Sequence, residues 1–165
     1  YRKLKGFCEQ NGIMYQATPV VSVKNDGDKE PTIGRITSKD LELYIKEFEN
    51  ANYHKEYNDY DYACRGVRYS LDIDSEGYIY PCNVYHGTQP LGSIYKSTLK
   101  EIWEQSSMLR QIQNLQLKDL EFCKKCKHKE FCYRCPGLAL LEDGDLYGKS
   151  TLACEHAGVR YKLNK

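Results

Sequence analysis

Half of the chain's eight cysteines sit within thirteen residues, as Cys123-x2-Cys126-x5-Cys132-x2-Cys135, and Cys154 follows after a gap of eighteen. Cys64 and Cys82 lie upstream, with four residues between Gly77 and Cys82. A Cys-x2-Cys loop lets two thiolates reach one metal centre, a device shared by structural zinc and iron–sulfur clusters. Disulfides suit such pairs badly, because bridges that close short loops stabilise little and are often strained. Zinc would suit one four-cysteine site, but the two pairs stand five residues apart, closer than the roughly 15–20 of a zinc ribbon. An iron–sulfur reading fits a dense run whose last cysteine precedes a proline, here Cys135-Pro136. In two-cluster ferredoxins that cysteine serves the other cluster. Iron–sulfur fits the spacing best; zinc and disulfides remain open.

The rest of the composition narrows the class. The 165 residues are 41% apolar, enough for a modest core and too many for a disordered chain. Twenty-four basic residues stand against 23 acidic, so no strong field points to nucleic acid or to an anionic membrane. No stretch approaches the roughly 18 apolar residues of a membrane span. The start, Tyr1-Arg2-Lys3-Leu4-Lys5-Gly6-Phe7, has neither a signal-peptide core nor an initiator methionine, and reads as the middle of a longer chain. Reduced, metal-binding thiols imply a cytoplasmic protein.

Patterning gives the elements. Residues 2–10 read as a helix with Leu4, Phe7 and Cys8 on one side, closed by Gly12. Ile13 to Val23 is apolar and β-branched and reads as a buried strand. Helix, glycine turn and strand make the rhythm of an αβ repeat. Residues 25–35 form a polar loop, and Ser38 is the expected N-cap of a helix with Leu41, Leu43, Tyr44, Ile45 and Phe48 on its apolar side. A Tyr- and Asn-rich stretch near 50–62 reads as a connector. Tyr69, Leu71 and Ile73 alternate with polar residues, Ser75-Glu76-Gly77 turns, and Tyr78-Ile79-Tyr80 returns, which predicts a β-hairpin delivering Cys82. Ser97 is expected to open a helix through Ile112 with Trp103 in its core. A short helix or turn after Gly137 leads to a loop carrying Cys154.

Together, Cys64, Gly77-x4-Cys82, the four clustered cysteines and Cys154 resemble the SPASM domain, which is appended to radical S-adenosylmethionine (SAM) enzymes. LDIDSEGYIYPCN is similar to that family's hairpin, LGSIYKSTLKEIWEQS to its helix entry and CPGLALLEDGD to the stretch after its fourth clustered cysteine. The likeness covers about 64–157. It implies an α+β fold: a β-hairpin, then helices and cysteine-rich loops around two 4Fe–4S clusters, preceded by the last αβ units of a partial (β/α) barrel. The implied division is 1–50 for the barrel end, 51–63 for a connector and 64–165 for the auxiliary-cluster domain.

The resemblance assigns Cys64, Cys82 and Cys135 to cluster I, and Cys123, Cys126, Cys132 and Cys154 to cluster II. Two departures bear on this. The family commonly has three residues between its third and fourth clustered cysteines, against two between Cys132 and Cys135. Cluster I also has only three cysteines, so its fourth iron is open, takes His86, or binds a substrate thiolate. Cys8 is read as a small buried hydrophobe, with a cluster ligand as the alternative, and His128 as a solvated loop residue, with a ligand or a donor beside one as the alternative. His156 is read as a neutral loop residue or a donor beside a ligand. Lys124, Lys125, Lys127 and Lys129 are read as a solvated face able to raise cluster potentials. Tyr80 and Tyr133 adjoin expected ligands.

No Cys-x3-Cys-x2-Cys occurs, so the resemblance puts the SAM-binding third 4Fe–4S cluster in an upstream domain, and this chain alone should not turn over. The implied enzyme is a radical SAM oxidoreductase that modifies a ribosomal precursor peptide by thioether or carbon–carbon crosslinking. A reductant such as flavodoxin or ferredoxin would supply electrons, and the auxiliary clusters would transfer electrons or hold substrate. The alternatives are an anaerobic sulfatase maturase that makes formylglycine, and a zinc-stabilised interaction module.

Overall fold

A computed structural model describes residues 1–49 and 55–165. Of the expected connector 51–63, residues 51–54 lie outside the described residues. The fold is α+β: seven described α-helices and a small antiparallel sheet, joined by cysteine-rich loops.

Helix α1 (Arg2–Gln10) ends at Asn11, and Gly12 follows at φ 65°, a left-handed turn that glycine adopts without a Cβ clash. Cys8 is buried as expected, but Leu4 and Phe7 are exposed. The strand expected over 13–23 does not form. Its backbone meets no partner strand among the described residues; the Val20 N–H turns instead to Thr18 Oγ1 at 3.2 Å. Met14 is 91% exposed, and only Val23 is buried there. Apolar, β-branched composition does not make a strand without a ladder to join.

Helix α2 (Ser38–Phe48) starts one residue earlier than expected. Thr37 is its N-cap, and the Thr37 hydroxyl accepts from the Asp40 N–H. Leu41 and Ile45, one turn apart, are its buried pair, while Leu43 stays exposed.

The hairpin forms from β1 (Asp72–Ile73) and β2 (Tyr78–Tyr80), with Asp72 opposite Tyr80 and Ile73 opposite Ile79. Gly77 closes its turn at φ 80°. A third strand that patterning did not reveal, β3 (Gly92–Ser93), pairs with the other edge of β2. It is two residues long, too short to show an alternating pattern.

The single helix expected from Ser97 is two. Thr98 caps α3 (Leu99–Gln105) in a reciprocal capping box with Glu101. Ser106 then ends α3 and, with its hydroxyl accepting from the Leu109 N–H, starts α4 (Ser107–Asn114). Ile102, Leu109 and Ile112 are buried, but Trp103 keeps 37% of its surface exposed. It stands next to Ile102, about 100° round the helix from the buried stripe.

Short helix α5 (Glu121–Lys124) precedes α6 (Pro136–Asp143), which has Pro136 at its first turn and ends on Gly144 at φ 75°. Cys154 lies on a helix, not in a loop: α7 (Thr151–Leu163) is capped by Ser150, whose hydroxyl accepts from the Ala153 N–H.

Three small apolar clusters stand in for one core. Val67, Tyr80, Tyr85 and Ile112 form the first, Leu41, Ile45 and Val159 join α2 to α7 in the second, and Leu115, Leu117 and Leu120 make the third. Two ion pairs tie the N-terminal segment to the cysteine region. The Arg160 guanidinium forks onto Glu49 at 2.8 and 2.9 Å, and Arg35 reaches Glu142 at 2.5 Å.

Candidate metal centre

All eight cysteines are free thiols. The clustered Cys123, Cys126 and Cys132 and the more distant Cys154 line one cavity of about 90 Å³. Cys123 comes from α5, Cys126 and Cys132 from the turns after it, and Cys154 from the first turn of α7. The third apolar cluster packs behind Cys123.

The electrostatics of the thiols reflect that convergence. Burial pushes the Cys132 thiol up to about 11, and the thiols of Cys154 and Cys123 add to the shift. Burial likewise raises Cys123, with the Arg134 cation opposing it. Tyr57 lines the same cavity; burial, then the Cys123 thiol, pushes its phenol up to about 12.

Cys64, Cys82 and Cys135 form a second group around Tyr85. Cys64 is delivered by a short backbone pairing, in which the Ala63 N–H donates to Leu115 O at 2.8 Å and the Leu117 N–H to Asp61 O at 2.9 Å. Cys82 follows β2, and Cys135 is the N-cap of α6. Burial raises the thiols of Cys82 and Cys135, and each is within electrostatic reach of Cys64. The backbone amides of Val84 and Tyr85 lower the Cys82 thiol against burial, and those of Leu138 and Gly137 lower the Cys135 thiol. Paired amides aimed at a sulfur favour its thiolate form.

The α6 backbone approaches Tyr85 closely. A Cβ on Gly137 would stand 2.9 Å from Tyr85 Cε2 and from Val84 Cγ1. The Tyr85 phenol is buried with no hydrogen-bond partner among the described residues, and the three thiols raise its pKa further beyond what burial does.

These features suit an anionic, sulfur-rich group. Thiols supply soft ligands, backbone amides favour the thiolates, and two buried donors, Tyr85 Oη and Arg134 Nη1, have nothing to bond among the described residues. Among the described residues no three Cys, His, Asp or Glu side chains close on one point as ligands of a single ion would. Thiolates around one zinc stand within about 4 Å of each other, whereas a cluster binds each thiolate through a different iron and needs no such convergence.

The histidines sit in three different settings. His86 Nε2 pairs with Asp72, and its ring lies 4.6 Å from that of Tyr80. His128 lines the four-thiol cavity beside Tyr161, its ring 4.7 Å away, and burial lowers its pKa. The short turn from Cys126, whose sulfur accepts the His128 N–H at 3.4 Å, folds it inward. His156 is buried on α7, and burial lowers its pKa too. It shares with Cys135, Tyr44 and Arg160 a second cavity of about 230 Å³.

Of the four clustered lysines only Lys129 lines the four-thiol cavity, its ammonium 4.3 Å from the Tyr57 ring centre. Lys124 pairs with Glu121 at 2.6 Å. Sequence reasoning missed Lys55, Tyr57, Lys149 and Arg134 on that cavity, and Tyr85 in the other group. Arg134 alone carried a signal: it stands between Cys132 and Cys135, neighbours in sequence that face different groups.

Among the described residues no helix is long and apolar enough to cross a membrane. No curated protein and no solved structure matches the chain. A family model does: SPASM, an iron–sulfur cluster-binding domain, over residues 64–136. The match spans the hairpin and six of the seven cysteines gathered in the two groups. Residues 64–136 therefore match the SPASM family of iron–sulfur cluster-binding domains.

Proposed function

We propose that this chain is the auxiliary-cluster portion of a radical SAM enzyme that modifies a ribosomal precursor peptide, by thioether or carbon–carbon crosslinking. Its SPASM domain binds iron–sulfur clusters, and such domains accompany radical SAM catalytic domains. In this reading Cys123, Cys126, Cys132 and Cys154 hold one 4Fe–4S cluster, and Cys64, Cys82 and Cys135 hold another. The observation that carries it is the gathering of seven cysteines into two groups, one lining a common cavity and one surrounding Tyr85.

Bound clusters supply one-electron transfer and, where an iron has no protein ligand, a site for a substrate donor. The protein's part is to hold the thiolates and shield them from water. The amides of Val84, Tyr85, Gly137 and Leu138 stabilise the negative charge on the Cys82 and Cys135 sulfurs. With Asp72 on His86 Nε2, His86 is engaged as part of the hairpin, which favours an exogenous donor at the three-cysteine site. Cys135 also borders the second cavity, which gives a side chain of the peptide a route to that site.

The SAM site, its own 4Fe–4S cluster, the end of a partial (β/α) barrel in residues 1–50 and a flavodoxin- or ferredoxin-type reductant belong to the same proposal. The working place would be the cytoplasm. Formylglycine formation on a sulfatase is the neighbouring chemistry, and the identity of the peptide substrate separates the two.

Metal and acid-labile sulfide analysis of protein purified without oxygen tests the cluster assignment. About eight irons with matching sulfide are expected. About one zinc without sulfide would overturn it in favour of a zinc-stabilised interaction module.

A further inference from the structure

Arg134 is held so that one of its nitrogens is left over. Its Nε donates to Gly148 O at 3.1 Å, and its Nη2 donates to Leu146 O at 2.6 Å and to Gly148 O at 2.8 Å. These bonds fix the guanidinium plane against the 146–148 loop. Nη1 is buried and, among the described residues, has no partner, and no Asp or Glu among them pairs with this cation.

A buried cationic donor left unmet is costly unless an anion meets it. Arg134 lines the cavity of the four thiols and is the strongest charged neighbour acting on Cys123. It also lowers the pKa of Cys135 and Tyr85, so its charge reaches both groups.

We propose that Arg134 is a cation shared by the two cluster sites, with Nη1 donating a hydrogen bond to a sulfur of the cluster held in the four-thiol cavity. This rests on the cluster binding proposed above. Reduction adds negative charge to a cluster, and a fixed guanidinium stabilises the reduced form more than the oxidised one, raising the potential. The lysines around the cavity reach water and are screened; the Arg134 nitrogen is not. Arg134 is a positioning residue that acts through the clusters.

Redox titration of the anaerobically reconstituted chain, followed by electron paramagnetic resonance, tests this. A Cys64→Ala background silences the three-cysteine site. Arg134→Gln should keep full iron and sulfide in the four-cysteine site, yet shift its reduction equilibrium at least tenfold toward the oxidised form, 59 mV for a one-electron couple. Arg134→Lys, which keeps the charge, should recover most of that shift. Lys125→Gln, which removes an exposed cation nearby, should change nothing.

An unshifted potential in a fully loaded Arg134→Gln protein overturns the proposal, as does an equal shift from Lys125→Gln. Should Arg134→Gln fail to load, wild-type protein carrying ¹⁵N-arginine decides. A ¹⁵N coupling to the reduced cluster that disappears in Arg134→Lys supports the bond, and its absence from wild type overturns it. Wild-type protein without iron or sulfide would defeat the cluster reading itself, which is a different failure.

Discussion

A thiol buried without its metal is a poor acid, and Cys132 shows the consequence for the stability of the metal-free chain. Its thiol titrates near 9 in the unfolded chain and is pushed up to about 11 in the fold, first by burial and then by the Cys154 and Cys123 thiols. A folded pKa raised above the unfolded one means the fold holds its proton longer. The stability it contributes is complete below about pH 9 and is lost as pH rises toward about 11. Denaturant titration of reduced, metal-free protein should therefore show a falling midpoint between those limits, and Cys132→Ser should flatten part of the fall. The remaining slope belongs to Cys82, Cys123 and Cys135, which burial shifts in the same direction. Metal loading removes these protons, so it should release acid as it proceeds.

At the scale of elements, the closest tolerance is between α6 and the turn after β2. Gly137 lies against Tyr85 and Val84 with no room for a methyl group, and Tyr85 is itself fully buried. Gly137→Ala should cost about 1–3 kcal/mol of overpacking. It should also disturb the amide that faces the Cys135 sulfur, so iron loss from the three-cysteine site should accompany a lowered denaturation midpoint. Elements with local signals could be read from sequence: α1, α2 and the hairpin with its Gly77 turn were set by periodicity and turn chemistry. Those without such signals could not. The apolar run 13–23 lacks a partner strand, β3 is too short to show a pattern, and Ser106 breaks a helix whose apolar spacing continues across it. Cysteine spacing marked the candidate ligands because ligation demands that residue type. Tyr85 and the lysines of the cavity are brought in by packing over long distances, which spacing does not encode. Arg134 was visible only as the residue between two ligands.

On the scale of the whole molecule, the apolar clusters among the described residues are small, so cross-chain ties carry much of the cohesion. The Arg160–Glu49 fork is largely buried, and it joins the end of α2 to α7 beside the Leu41, Ile45 and Val159 cluster. Arg160→Met would leave the Glu49 carboxylate half-buried and unpaired, a costly state. Limited proteolysis should then cut within residues 1–49 several-fold faster than in wild type while iron content holds. Equal cleavage rates would show that the apolar contact alone secures α2.

The family match stops at residue 136, but the walls of the four-thiol cavity do not. A clone trimmed to the matched boundaries would discard Cys154, Lys149, Ala153 and Ala157 from that enclosure, along with the carbonyls of Leu146 and Gly148 that hold Arg134 in place. The smallest independently useful piece is therefore defined by enclosure in space, and its C-terminal border belongs after α7.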